Sequence, residues 1–199
     1  MRDRRTGRVS GQGEFYVIGG IVILSADVVN VRANLREIQA RLGYAIHFNE
    51  LSHLRRIETI KAVLEIDCWD GYIFETASPL EARHHKERHI RARALQDAFT
   101  YLCHAGAVTE FILETRAQPS KGFTTLNEDD RRLGQKLKAK KQLPDKFTMQ
   151  HGDKTEPLLW LADVLAGARS DHICARHEDL FPLLGHRILD IRTVFNNRG

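Results

Sequence analysis

Two carboxylates stand where this sequence could concentrate chemistry, Glu114 and Asp163. Asp163 lies in EPLLWLADVLAGA (156–168), whose apolar residues surround a helix axis and whose small residues Ala162, Ala166, Gly167 and Ala168 let another element approach closely. It is the only charge between Pro157 and Ala168. Burying a lone carboxylate is costly unless it is paired, hydrogen-bonded or bound to a metal. Glu114 stands at the end of the strand-like run VTEFILET (108–115). An acid at a strand end and an acid on a helix packed against the sheet can converge, and a hard cation such as Mg²⁺ or Mn²⁺ relieves their repulsion. Two such ions can activate a water and stabilise the leaving oxygen in phosphodiester hydrolysis. Structural roles fit the same residues: Asp163 bonded to backbone or an arginine, Glu114 paired with Arg116.

Other polar clusters read as surface. His85 and His89 fall one helical turn apart, with Glu81 a turn earlier, and His172, Cys174 and His177 are close in sequence. Neither group has a closed zinc-site spacing, and both sit among arginines and lysines, as on a solvated helix face. The basic stretches 83–93 and 131–146 could follow a phosphate backbone, with Arg131, Arg132, Lys136 and Lys140 the contacts of the second. Glu81, Glu87, Asp129 and Asp130 offset that charge. The sequence has no glycine-rich phosphate loop with a following Lys-Ser/Thr, no serine nucleophile elbow and no paired CxxC.

The elements that must position the acids follow from pattern. Residues 1–14 read as a flexible basic arm, and 15–199 as a single domain. FYVIGGIVIL (15–24) reads as a strand buried on both faces. Ser25 or Asp27 caps a helix with Val31, Leu35, Ile38 and Leu42 inward, ended by Gly43. An extended piece, AIHFNEL (45–51), leads to a helix capped by Ser52, then to a strand GYIFET (71–76) with Glu75 near its end. Pro79 opens a long polar helix over 80–104. Thr124 or Thr125 caps another helix, which Pro144 stops, and 147–150 is a short strand. Pro157 suits the first turn of the 156–168 helix, and the spacing predicts a last amphipathic helix over 183–194. Strands alternating with helices imply an α/β layer fold with a largely parallel sheet, its active groups at the strands' C-terminal ends.

Composition agrees with one globular domain: 199 residues, 42% hydrophobic, 28% charged. A net charge of +4 and a pI near 9.1 permit nucleic acid as a partner without requiring it. Three scattered cysteines suit a reducing compartment, and no run approaches the roughly 20 apolar residues of a membrane span. The expected location is the cytoplasm.

The order FYVIGGIVI, AIHFNEL, FILETR, EPLLWLADVLAGA resembles the domain-of-unknown-function family numbered 3800, grouped with ribonuclease H-like folds. IHFNEL (46–51) and LLWLADVLAGA (158–168) carry the resemblance most specifically. It implies a ribonuclease H-like, five-stranded mixed sheet flanked by helices and a metal-dependent nuclease site using Mg²⁺ or Mn²⁺. Asp163 matches the family's helix aspartate, Glu114 the acid ending the preceding strand, and His47 the histidine of a His-Phe element. Glu50 and Glu156 occupy polar family positions and could support the site. Family members usually begin with a strand ending in Asp-Glu-Ser-Gly, which supplies the first ligating aspartate. Here Asp3 is followed by Arg4-Arg5, so the expectation is a truncated start.

The resulting expectation is a nuclease cutting DNA or RNA through Glu114, Asp163 and His47, with the basic helices on the phosphates. The alternative is a non-catalytic nucleic-acid-binding or assembly module retaining the fold. An uncovered sheet edge would make a homodimer reasonable.

Overall fold

The computed structural model describes residues 7–9, 13–78, 87–105, 107–115 and 125–195. The chain is a mixed α/β fold in which a mixed sheet is flanked by helices. Strand β2 (Gly13–Val22) packs apolar side chains on both faces. Val17 and Ile21 join one apolar core, while Tyr16, Ile18 and Val22 join clusters on the opposite face, as alternation along a strand requires. A short β1 (Gly7–Val9) doubles back on β2, pairing Gly7 with Phe15 and Val9 with Gly13. Part of the expected basic arm is therefore strand, and the sheet begins before residue 15.

Two helices separate β2 from β3 (Asp70–Ser78): α1 (Val28–Leu42) and α2 (His53–Val63). Val31, Leu35 and Ile38 bury one stripe of α1, which ends at Gly43 in the left-handed conformation at φ 72°. A strand, two helical traverses and a strand return the chain antiparallel to its start, and β3 accordingly pairs antiparallel with β2 over its whole length. The largely parallel sheet expected from alternation is thus corrected to a mixed one. The tail is corrected as well. Residues 183–194 do not form one amphipathic helix; the single turn α6 (Leu180–Leu183) and a 3-10 turn (Gly185–Arg187) lead into β6 (Ile188–Phe195), which runs parallel to β3. Its ILDIRTVF sequence is rich in β-branched residues, which fit a pleated surface better than a helix.

The other strands form a separate parallel pair, β4 (Glu110–Glu114) and β5 (Thr148–Gly152). The described strands thus divide into sheets of four and two, in the orders β1-β2-β3-β6 and β4-β5. Helix α3 (Glu87–Ala105) covers one face of the larger sheet through Ile90, Ala94, Ala98 and Leu102. Phe99 on α3 meets Phe111 of β4 and Phe147 edge-on at 5.0 and 5.3 Å, tying the two sheets together. Helix α4 (Leu126–Ala139) starts with a capping box between Thr125 and Glu128.

On the opposite face lies α5 (Pro157–Ile173), with Pro157 at its first position and Glu156 as N-cap. It packs on β2 so closely that a Cβ at Gly19 would lie 2.3 Å from the Ala162 carbonyl oxygen and 2.8 Å from the Ala166 nitrogen. Among the described residues no helix is long and apolar enough to cross a membrane.

Gly19→Ala is therefore expected to lower stability by about 1–3 kcal/mol, because backbone rather than a flexible side chain must yield. Gly20→Ala, whose added methyl would meet its nearest atoms at 3.8 and 3.9 Å, is expected to be neutral or slightly stabilising. Urea unfolding of the two variants checks the contrast.

Candidate functional site

Helix α5 carries Asp163 one turn before Gly167 and two turns before Asp171; the first two engage the loop between α1 and α2, and Asp171 engages Arg56 at the start of α2. Asp163 Oδ2 accepts the Phe48 backbone N–H at 2.8 Å. The Phe48 ring is fully buried against Gly167, where a Cβ would come within 2.4 Å of the ring. Arg56 pairs with buried Asp171 and donates to the carbonyls of Leu51 at 3.0 Å and Asn49 at 3.2 Å. Arg176 holds the other Asp171 oxygen at 2.8 Å. These bonds fix the turn that follows His47.

His47, Glu114 and Asp163 line one cavity of about 150 Å³. Its walls are Tyr16, Val17, Ile18 and Gly19 of β2 on one side, Ile112, Leu113 and Glu114 of β4 on another, and Ala162, Asp163 and Ala166 of α5. The two strands face each other across it without pairing. On the edge away from β3, β2 pairs only with β1, at Gly13–Phe15, and β4 pairs only with β5 among the described residues. Glu114 is the last residue of β4 and is in register with Gly152, the last of β5. The site thus opens at the C-terminal ends of the parallel pair, as expected of such strands.

The electrostatics are those of two acids in a poorly solvated space. Burial pushes the Asp163 carboxyl above the ordinary carboxylate range; the Phe48 N–H opposes this, the charge of Glu114 adds to the rise, and His47 and Lys154 offset it. The structural role and the site role do not exclude each other here, since one hydrogen bond leaves a carboxylate with further acceptor capacity. Asp163 is thus both the backbone-bonded aspartate and a cavity acid. Two carboxylates sharing a cavity, the charge of Glu114 raising the proton affinity of Asp163, are a donor set that a hard divalent cation fits.

Three groups at the cavity were not singled out by sequence. Lys154 sits in the turn between β5 and α5, its Nζ 3.8 Å from Glu50 Oε1. Its place just beyond a strand's C-terminal end is the signal that could have marked it. Tyr16 and Arg91 also line the wall and belong to a buried network. Arg91 forks onto Asp130 at 3.1 and 2.8 Å and donates to the Tyr16 hydroxyl at 3.2 Å, while His151 Nε2 lies 3.3 Å from Asp130. Burial alone would lower the Arg91 guanidinium, but Asp130 and Tyr16 outweigh it and hold it above its ordinary value. Only the tertiary pairing of β2, α3, α4 and β5 brings these four residues together.

Other expected residues stand elsewhere. Glu156 is not in the cavity wall; it caps α5 by accepting from Leu158 N at 3.2 Å and pairs with Arg32 at 2.9 Å, which accounts for it structurally. Glu50 is exposed and reaches the site only through Lys154. Arg131, Arg132, Lys136 and Lys140 are exposed along α4, and none of them lines the cavity. Glu75 lies within β3, not at its end, and is held by Arg169 and Thr193. His89 is exposed, and His177 meets His53 instead of His172 or Cys174. Asp3, His85 and Arg116 lie outside the described residues.

No protein-family model matches the chain, and no curated protein matches it.

Because the folded Asp163 carboxyl titrates above its unfolded value, the folded state binds the extra proton, and stability is lost as pH rises through the folded value. Asp163→Asn keeps an acceptor for Phe48 N–H without the charge. The variant is expected to be more stable than the parent at neutral pH in metal-free buffer. That advantage should disappear below the ordinary aspartate range, where both side chains are neutral. Urea unfolding across pH checks this, and an unfolded Asn variant at neutral pH would show that the charge itself holds the loop.

Proposed function

We propose that this chain is a metal-dependent nuclease of the ribonuclease H-like superfamily, acting on DNA or RNA phosphodiesters. The observation that carries the reading is the shared cavity. Asp163 of α5, Glu114 at the end of β4 and His47 line one space, although 49 or more positions separate them in the sequence. Among the described residues, β2 beyond Phe15 and β4 pair with no strand across that space, which supports the same reading, because in a ribonuclease H-like sheet a central strand carrying the first acid lies between such edges.

Glu114 and Asp163 would hold Mg²⁺ or Mn²⁺. When bound, the ion supplies charge neutralisation at a phosphodiester and makes a water easier to deprotonate. Glu114 and Asp163 favour cation over anion in the cavity, which directs a phosphate to the cavity mouth unless a cation accompanies it. Lys154 places a positive charge on the wall where a phosphate oxygen could approach. His47, whose backbone is fixed by the Phe48 anchor, is placed to accept or donate a proton at the cavity surface. The exposed basic face of α4, with Arg131, Arg132, Lys136 and Lys140, would take up backbone phosphates outside the cavity.

The second reading, a binding or assembly module without catalysis, is favoured by one observation. Among the described residues only two acids line the cavity, and Lys154 already offsets Asp163.

Calorimetric titration with Mn²⁺ of the parent, Asp163→Asn and Glu114→Gln, together with cleavage assays on labelled DNA and RNA, separates the readings. Binding and cleavage that both variants lose support the nuclease. Salt-sensitive nucleic-acid binding that is indifferent to Mn²⁺ and to both substitutions supports the module.

A further inference from the structure

A second cluster of ligand-type side chains lies away from the cavity, at the far end of α5. His53 is the first residue of α2, and His177 and Asp179 lie in the turn between α5 and α6. One ligand atom from each falls within 4.8 Å of the others. His53 Nε2 is 3.2 Å from Asp179 Oδ2, and the His53 and His177 rings stack with centroids 4.4 Å apart and planes 24° from parallel. His53 Nδ1 is buried without a hydrogen-bond partner, so Nε2, the nitrogen beside Asp179, is the one placed to ligate an ion.

The backbone beneath these side chains is fixed. Arg56, one turn after His53 on α2, and Arg176, next to His177, both grip the buried carboxylate of Asp171. Leu180, just beyond Asp179, is completely buried in the core. The three candidate ligands are therefore presented from anchored positions, while their own side chains are partly open to solvent and free to adjust.

We infer that His53, His177 and Asp179 form a binding site for a borderline divalent ion of the Zn²⁺ class, clipping the start of α2 to the α5–α6 turn. Two imidazoles and a carboxylate suit such an ion, whereas Mg²⁺ prefers an all-oxygen shell. Around a tetrahedral zinc with bonds of about 2.0–2.1 Å, neighbouring ligand atoms sit roughly 3.4 Å apart. The His53–Asp179 separation already matches, and the widest gap closes by rotation of the exposed side chains. The fourth, open position falls to water. The inference does not rest on the nuclease reading, since neither Glu114 nor Asp163 takes part in it.

The test is calorimetric titration of the chelator-treated full chain with Zn²⁺, alongside thermal unfolding with and without the ion. The parent, His177→Gln, Asp179→Asn and Asp163→Asn are compared. One Zn²⁺ per chain should bind and raise the unfolding temperature, and an equal concentration of Mg²⁺ should not. His177→Gln and Asp179→Asn should each weaken binding by at least about tenfold, as loss of a ligand does more than loss of a ligand's supporting partner. Their metal-free unfolding temperatures should match the parent's, which confirms that they fold. Asp163→Asn should bind Zn²⁺ as the parent does. No Zn²⁺ binding by the parent, or equal binding by both ligand variants, overturns the site. Loss of Zn²⁺ binding only in Asp163→Asn would overturn it too, by moving the ion to the cavity.

Discussion

The close approach of α5 to β2 is the constraint on which the rest of the structure depends. A helix can lie with its backbone this near a strand only if the strand offers no side chain at the crossing, and Gly19 meets that condition opposite Ala162 and Ala166. The small face of α5 is thus spent on contact with the sheet. Its other faces are left to engage the loops, and the axis is set low enough for Asp163 to reach the space between the strands. Were β2 to carry a Cβ there, the helix would rise and Phe48 would lose its seat over Gly167.

From that contact the loop geometry follows. Asp163, Gly167 and Asp171 recur every four residues along one side of α5, the spacing that stacks side chains on a helix face. They meet the α1–α2 loop and the start of α2 with a hydrogen bond, a ring-filled notch and an ion pair in turn. Of these, the ring packing supplies most of the apolar burial, while the polar bonds set position; an unmatched Asp171 or Phe48 N–H would be costly in so buried a place. One helix face therefore both orients His47 and holds the frame on which His53 and His177 stand.

The cavity itself is a consequence of divided sheets. Phe99, Phe111 and Phe147 hold β4 and β5 near the larger sheet, and the Arg91–Asp130 pair joins α3 to α4 behind the cavity wall. Neither tie inserts backbone between β2 and β4, so their facing edges remain separate among the described residues. A buried arginine and aspartate with Tyr16 and His151 around them form a satisfied polar network, apart from His151 Nδ1.

Much of this was written locally in the chain. The apolar run of β2, the buried stripe of α1 with its terminal Gly43, the Thr125 cap and Pro157 at the start of α5 all follow from propensity, periodicity and capping, which act over a few residues. Asp163 announced itself as a lone charge in an apolar helix. Periodicity could not determine strand direction, because the number of traverses between two strands, not their composition, decides whether they run parallel. It misjudged residues 188–195 for a related reason: a short amphipathic stretch fits either period until a neighbouring strand is available, and β3 is. The meeting of Glu114 with Asp163, the capping role of Glu156 beside Arg32, and the pairing of His53 with His177 and Asp179 depend on residues from 49 to 126 positions apart approaching in space. Local sequence thus determined which elements form and which acid is out of place. Long-range packing decided which groups face one another, because the closing contacts exist only once the core has assembled.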